Sequence, residues 1–385
     1  MATIKSISTL IIDGDWIESK DQSPGGIRLI QTGNIGIGKY LDKANRAKYI
    51  SEETLDRLNC TELLAGDILV SRLPDPIGRA CVVPNNIGRA ITAVDCTIIR
   101  LDSRKCRTEY FVQYTQSELY QNRLSQFFAG STRIRISRKN LEQIEIPLPN
   151  IIEQKRVAST LGKVDALISL RKQQLAKMDE LVKARFVELF GECQEHKRLE
   201  EYAALITKGA SPKWQGVDYC EEGTLFVTSE NVREGYLDLS KRKYLDDKIN
   251  EIQPRSILKR NDILINIVGA SIGRAAVYDC DEVANINQAV ALVRVNYSQI
   301  NQTYLMTFLN SPQAIEMYGK MKKGGARDNL SLQNIADLQI PVASIELQNQ
   351  FASFVEQTDK SKLAIQQSLD KLETLKKSLM QKYFG

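Results

Sequence analysis

Lys183-Ala184-Arg185-Phe186-Val187-Glu188-Leu189-Phe190-Gly191 returns as Lys377-Ser378-Leu379-Met380-Gln381-Lys382-Tyr383-Phe384-Gly385, about 194 residues later. Working outward, Ile146-Pro147 returns as Ile340-Pro341, and each proline is followed seven residues later by a glutamine, Gln154 or Gln348. Asp67-Ile68-Leu69 returns as Asp262-Ile263-Leu264, and Ile77-Gly78-Arg79-Ala80 as Ile272-Gly273-Arg274-Ala275. Solenoid units run roughly 20–50 residues, so this period is far too long for one. It marks a duplicated domain-plus-helix unit, the equivalent of a two-fold dimer written into one chain.

The helix of the first copy is legible in a seam that alternates steps of four and three. Its apolar members are Val157, Leu161, Val164, Ile168, Leu175, Met178, Val182 and Leu189, interrupted by Arg171 and Arg185. A seam sustained over more than four heptads predicts a coiled-coil helix. The second copy keeps the register through Phe351, Val355, Thr358, Lys362, Ile365, Leu369, Leu372, Lys376, Leu379 and Tyr383. Pro147, Pro149 and Pro341 lie just upstream, and Gly191 and Gly385 close the two segments. The first helix must lead out of one domain and the second must run back, so the pair is expected to be antiparallel. The two seam arginines are read chiefly as setting helix register, the alternative being contact with a partner chain.

The globular segments read as mixed. Ala65–Val70 and Asn261–Ile265 look like turns feeding buried strands, Thr97–Leu101 and Ala291–Val295 like further strands, and Tyr110–Phe128 and Tyr304–Met321 like short helices. No βαβ rhythm is present. The expected architecture is therefore α+β. Two mixed α/β domains, residues 1–150 and 192–344, are related by a pseudo-two-fold and separated by two long antiparallel coiled-coil helices, residues 151–191 and 345–385.

Composition excludes several classes. No run of roughly 18 apolar residues is available to span a bilayer, and the N-terminus lacks the pattern of a signal peptide. The 7 cysteines form no CxxC pair, which favours reduced thiols in a cytoplasm. A single histidine, His196, excludes a metal site built on several histidines, and its polar surroundings mark a connector. Net charge is only +5, and residues 192–344 carry 18 basic against 20 acidic side chains. Any nucleic-acid contact must then rest on local clusters.

Gly33-Asn34-Ile35-Gly36-Ile37-Gly38-Lys39-Tyr40 approaches a phosphate-binding loop, but Tyr40 replaces the hydroxyl that would hold Mg²⁺, and Asn231–Tyr236 shows nothing similar. It reads better as a turn. Asp67 and Asp262 each precede a strand, where a turn acid is expected. There is no GxGxxG, no GxSxG and no adenine-methyltransferase signature. Nothing assembles into an active site, and no catalytic residue, metal or cofactor is assigned to this chain.

Local clusters do recur in both copies. One pair is Gly130–Asn140, with Arg133, Arg135, Arg138 and Lys139, and Lys320–Asn329, with Lys320, Lys322, Lys323, Arg327 and Asn329. Glycine beside cationic and amide side chains suits a loop approaching a phosphate backbone. The alternation of Arg133, Arg135 with Ile134, Ile136 suits a half-exposed strand equally well. A second pair is Gln31, Asn34 with Ser229, Asn231, Arg233; amides read adenine edges and arginine reads guanine, although a turn asparagine does neither. Lys48 pairs with Lys241, Arg242, Lys243. Trp16 and Lys213-Trp214 open the two units, although tryptophan is more often a core residue. Arg79 and Arg274 either brace their domains or meet a ligand.

The layout, with Ile146-Pro147-Leu148-Pro149, Glu153-Gln154-Lys155-Arg156 and Arg185–Gly191 as its strongest stretches, resembles the specificity subunit of type I restriction-modification systems (the S subunit, HsdS family). Asp13–Lys20 and Gln31–Ile35 are also similar to one class of its recognition domains. The resemblance covers essentially the whole chain, and Ser344–Gln350 departs from it by lacking the Lys-Arg after the glutamine. It implies a non-catalytic DNA-recognition subunit in which each domain reads one half of a bipartite asymmetric site on double-stranded DNA. The helices would set the spacer and recruit two methyltransferase subunits and two motor-nuclease subunits. S-adenosylmethionine, ATP and Mg²⁺ would belong to those partners. The competing class is a two-ended protein-interaction scaffold with a coiled-coil spacer and no DNA specificity.

Overall fold

The structure, a computed structural model, describes residues 1–130, 134–321 and 328–385. The chain divides into two units, residues 1–172 with 367–385 and residues 173–366. Each contains a globular domain and one half of each of two long helices, Ile151–Phe190 and Ile345–Phe384.

In the first unit a four-stranded antiparallel sheet runs in the order Ser8–Asp13, Cys96–Leu101, Ile68–Ser71, Ala80–Val82. A second sheet runs Lys48–Ile50, Ile27–Ile30, Ala90–Thr92, with the last two strands parallel. The second unit repeats both: Ala203–Lys208, Val290–Val295, Ile263–Asn266, Ala275–Val277, and then Tyr219–Cys220, Tyr244–Leu245, Thr224–Val227, Ala284–Ile286, again with a parallel last pair. Ile68, Leu69 and Val70 are fully buried, as are Ile263, Leu264 and Ile265. A strand covered on both faces reads as a continuous apolar run, and that is why both were visible in the sequence.

The helical stretches predicted over 110–128 and 304–321 are each two helices, Thr108–Tyr114 with Glu118–Ser125 and Gln302–Leu309 with Pro312–Met321. Ser117 caps the second helix of the first pair by accepting from the Tyr120 N–H at 3.2 Å. Pro312 starts its counterpart, where its missing N–H costs nothing.

The repeated polar residues turn out to be braces. Buried Asp67 takes a two-pronged bond from Arg100 at 2.7 and 2.8 Å, and buried Asp262 takes one from Arg294 at 2.8 and 2.6 Å. Each also accepts a backbone N–H three residues upstream, from Leu64 and from Lys259, so the turn reading holds. Buried Gln154 accepts from the Arg107 N–H at 2.9 Å and donates to the Lys105 and Pro149 carbonyls. Gln348 accepts from the Asn301 N–H at 2.9 Å and donates to Ala343. The glutamine seven residues after each proline thus rivets a helix start to its own domain.

Within the first unit the helix halves run antiparallel, with Asp165 bonded to Lys376 at 2.7 Å and Lys172 to Glu373 at 2.8 Å. Within the second, Asp179 meets Lys362 at 2.7 Å, and the Arg185 guanidinium lies 6.0 Å from the centre of the Phe354 ring. Val157, Leu161, Val164, Phe351, Val355, Thr358 and Leu369 are buried, and the other seam positions are half-buried. The polar seam residues Lys362 and Lys376 reach acids of the facing helix, a pairing that holds in one register only. No helix among the described residues is long and apolar enough to cross a membrane.

Candidate nucleic-acid interface

The two parallel strands of each mixed sheet end side by side, and four loop segments converge on that edge. In the first unit the Ala93 N–H donates to the Ile30 carbonyl at 2.9 Å; in the second the Asn287 N–H donates to Val227 at 3.1 Å. These bonds place the turns Ala93-Val94 and Asn287-Gln288 at matching positions. The segments carrying the tryptophans pass against the same turns. A side chain on Gly14 would lie 2.3 Å from the Thr92 carbonyl, and one on Gly209 would lie 1.7 Å from that of Ile286. Only glycine permits so close an approach.

The other two segments are those singled out as clusters in the sequence. Arg72 donates its N–H to Asp95 at 2.9 Å and accepts from the Ile136 N–H at 3.3 Å, and this sets residues 134–136 beside the first turn. Ile267 donates to Ala289 and accepts from the Leu330 N–H, both at 2.9 Å, and this sets Asp328-Asn329 beside the second. The loop after each first parallel strand completes the edge. Asn34 holds one such loop by accepting from the Gln31 N–H at 3.0 Å and donating to the Leu41 carbonyl at 3.0 Å. Asn231 holds the other, accepting from the Thr228 N–H at 2.9 Å and donating to Asp238 at 2.9 Å.

That finding corrects the reading of Asn34 and Asn231 as base readers. Both are buried, and their amides are spent on their own loops. It also corrects the view that Asn231–Tyr236 has no likeness to Gly33–Tyr40. Gly38 at φ 72° donates to the Ala80 carbonyl and Gly235 at φ 87° to that of Ala275, each at 2.9 Å. The bridge Ile35–Tyr40 matches Val232–Leu237. The phosphate-loop look-alike is a tight turn, present in both copies under different sequences.

The remaining candidates divide by exposure. Trp16 is 69% exposed and Trp214 87%, so neither is a core residue. Lys48, Arg135, Lys139, Lys213, Lys241 and Asn329 are exposed, and Gln31 and Ser229 half-buried. Residues 134–136 form only an isolated bridge from Arg135 to Ala129, not a strand: Ile136 is buried and Ile134 exposed. Several cations already face carboxylates: Arg138 with Glu142 at 3.4 Å, Arg233 with Asp238 at 3.6 Å, Arg242 with Glu282 at 2.6 Å, Lys243 with Glu230 at 3.1 Å and Lys320 with Glu316 at 2.7 Å. Arg133, Lys322, Lys323 and Arg327 lie outside the described residues.

Arg79 has a defined role. It donates to the carbonyls of Thr32, Ile35, Leu73 and Pro76 at 2.8–3.0 Å, and burial pulls its guanidinium below the ordinary arginine range. Arg274 is exposed. Burial pushes the thiols of Cys81 and Cys106 up to about 12 and that of Cys96 up to about 11, so these cysteines are protonated packing groups. His196 is exposed in a three-residue strand paired with Gln339–Pro341. The sequence reading missed the turns Ala93-Val94 and Asn287-Gln288, because nothing in a short loop between strands distinguishes an edge-lining amide from any other.

The type I restriction modification DNA specificity domain matches the chain twice, over residues 2–180 and 196–376. The EcoBI specificity subunit of Escherichia coli is 26% identical over 330 residues, covering 74% of this chain and 68% of that one. The MjaVIII specificity subunit of Methanocaldococcus jannaschii is 21% identical over 303 residues, covering 74% and 71%. Among solved structures, a chain from work on complex assembly and conformational transition of the type I R-M system superposes with a TM-score of 0.64 at 16% identity, covering 100% of this chain and 96% of that one. The type I restriction-modification S subunit from M. genitalium superposes with a TM-score of 0.56 at 16% identity, covering 100% and 95%. These two likenesses concern the fold. The duplicated match across nearly the whole chain places the protein in the type I restriction-modification DNA specificity family, as a non-catalytic DNA-recognition subunit carrying two copies of the specificity domain.

Proposed function

We propose that the two domains, residues 1–150 and 192–344, each read one half of a bipartite, asymmetric sequence in double-stranded DNA. The observation that carries this reading is the pair of matching loop edges, alike in backbone and different in side chains. Two readers with one frame and unlike residues fit two unlike half-sites. The helical segments 151–191 and 345–385 fix the length of unread DNA between them; each 40-residue helix is about 60 Å long. The same helices recruit two methyltransferase and two motor-nuclease subunits, which act in the cytoplasm and bring S-adenosylmethionine, ATP and Mg²⁺. This chain supplies sequence choice and assembly. The scaffold alternative is set aside by its family.

The test is a base-resolution map of N6-methyladenine in the host genome with and without the gene. We expect loss of one split motif. Exchanging residues 192–344 for those of another family member should change one half-site only, and a change in both would break the modular reading. Adding one heptad to both helices should lengthen the accepted spacer.

A further inference from the structure

In the second unit the loop edge closes around a recess of about 220 Å³, lined by Ser211, Tyr219, Ser229, Lys243, Asn287 and Gln288 among others. Ligand pockets commonly run from about 300 to 1,000 Å³, so this space is small for a nucleotide or cofactor. It suits one polar edge of a larger partner. It lies past the carboxyl ends of two parallel strands, the place where open α/β sheets commonly bind their ligands.

Gln288 lines the recess, is exposed, and has no side-chain hydrogen bond among the described residues. Asn287 beside it is partly committed, accepting from the Ala289 N–H at 3.2 Å. Lys243 and Glu230 neutralise each other at the rim, 3.1 Å apart. Lys213 and Trp214, both exposed, follow directly on the lining residues Ser211 and Pro212. A free carboxamide thus shares its recess with a cation and an aromatic ring, Lys243 and Tyr219. The matching turn of the first unit has no such group. Val94 stands where Gln288 does, and its carbonyl accepts from Arg72 Nη2 at 2.6 Å.

We infer that Gln288 reads an adenine in the half-site of the second domain. Its Oε1 accepts from the adenine N6 amine and its Nε2 donates to N7, the two-point pairing that distinguishes this base in the major groove. Lys213 supplies a phosphate contact that sets register without reading sequence. This assignment rests on the proposed DNA-reading function and narrows it to one residue and one base.

The experiment expresses Gln288→Ala and Gln288→Val in the assembled complex and maps methylated motifs in the host. The expected result is a motif that becomes degenerate at one adenine of one half-site, with discrimination there reduced about tenfold to hundredfold and the other half-site and spacer unchanged. A motif unaltered in both variants overturns the assignment. So does degeneracy in both half-sites, or total loss of methylation while the complex still assembles. If the unmodified gene yields no split motif, the parent reading fails instead, and the two failures are told apart by that control.

Discussion

In the first unit Arg79 ties the loop at Thr32–Ile35 to the turn at Leu73–Pro76 through four carbonyls. In the second unit the carbonyls matching Thr32 and Ile35 are those of Ser229 and Val232, and they accept from Asn266 Nδ2 at 3.0 and 3.3 Å. Arg274, which repeats Arg79 in sequence, is left exposed. The strand position matching Asn266 is Ser71, whose hydroxyl turns to the Leu73 carbonyl at 3.1 Å. One loop geometry is therefore held by a charged clamp in one copy and a neutral amide in the other. The lesson is that a repeated residue need not repeat its role, because a backbone carbonyl is indifferent to which donor reaches it.

A similar contrast lies under the helices. The second unit packs Phe186, Phe190, Tyr304 and Phe351 into an aromatic knot with centroids 4.6–5.7 Å apart. The first unit has Val157 where Phe351 stands, and there Tyr110 and Tyr114 pack against Phe384. Truncating Phe351 to Ala should cost about 4 kcal/mol, against about 2 kcal/mol for Val157→Ala. Urea unfolding of each variant checks this; equal losses would contradict it.

The loop clamps give the next effect. Arg79→Ala should cost about 3 kcal/mol and Asn266→Ala about 2 kcal/mol, since each leaves carbonyls without their donor. Arg274→Ala should stay within about 0.5 kcal/mol. Amide exchange at residues 31–41 and 228–238 would report this locally, and faster exchange at 228–238 in Arg274→Ala would contradict the division of roles.

The smallest effect concerns pH. Hydrogen bonding from Arg198 holds the Asp337 carboxyl below its ordinary value of 3.8, while the matching position in the first unit is Gln143. A depressed carboxylate stabilises the fold above its free value, and that contribution disappears as pH falls through the folded one. Asp337→Asn should therefore weaken the second unit slightly at neutral pH, and the difference should vanish once the pH has fallen below the folded value. A difference between variant and parent that persists in acid would refute it.

The duplication, the long helices and the buried strands were open to reading from residues alone, because each is a periodic or repeated property of neighbouring positions. A heptad seam shows in Val157 through Leu189 whether or not the partner helix is known, and an apolar run such as Ile68–Val70 announces a covered strand. The family likeness followed from the same repeated stretches. Tertiary structure decided what each polar side chain does. Asn34 and Asn231 look like base readers until burial shows their amides spent, Arg79 and Arg274 are identical until their surroundings differ, and Gln288 is one glutamine among many until two parallel strands bring it to an edge. Hydrogen-bond capacity is a property of the residue, but whether that capacity is already used depends on carbonyls tens of positions away, and those distances exist only once the chain has folded.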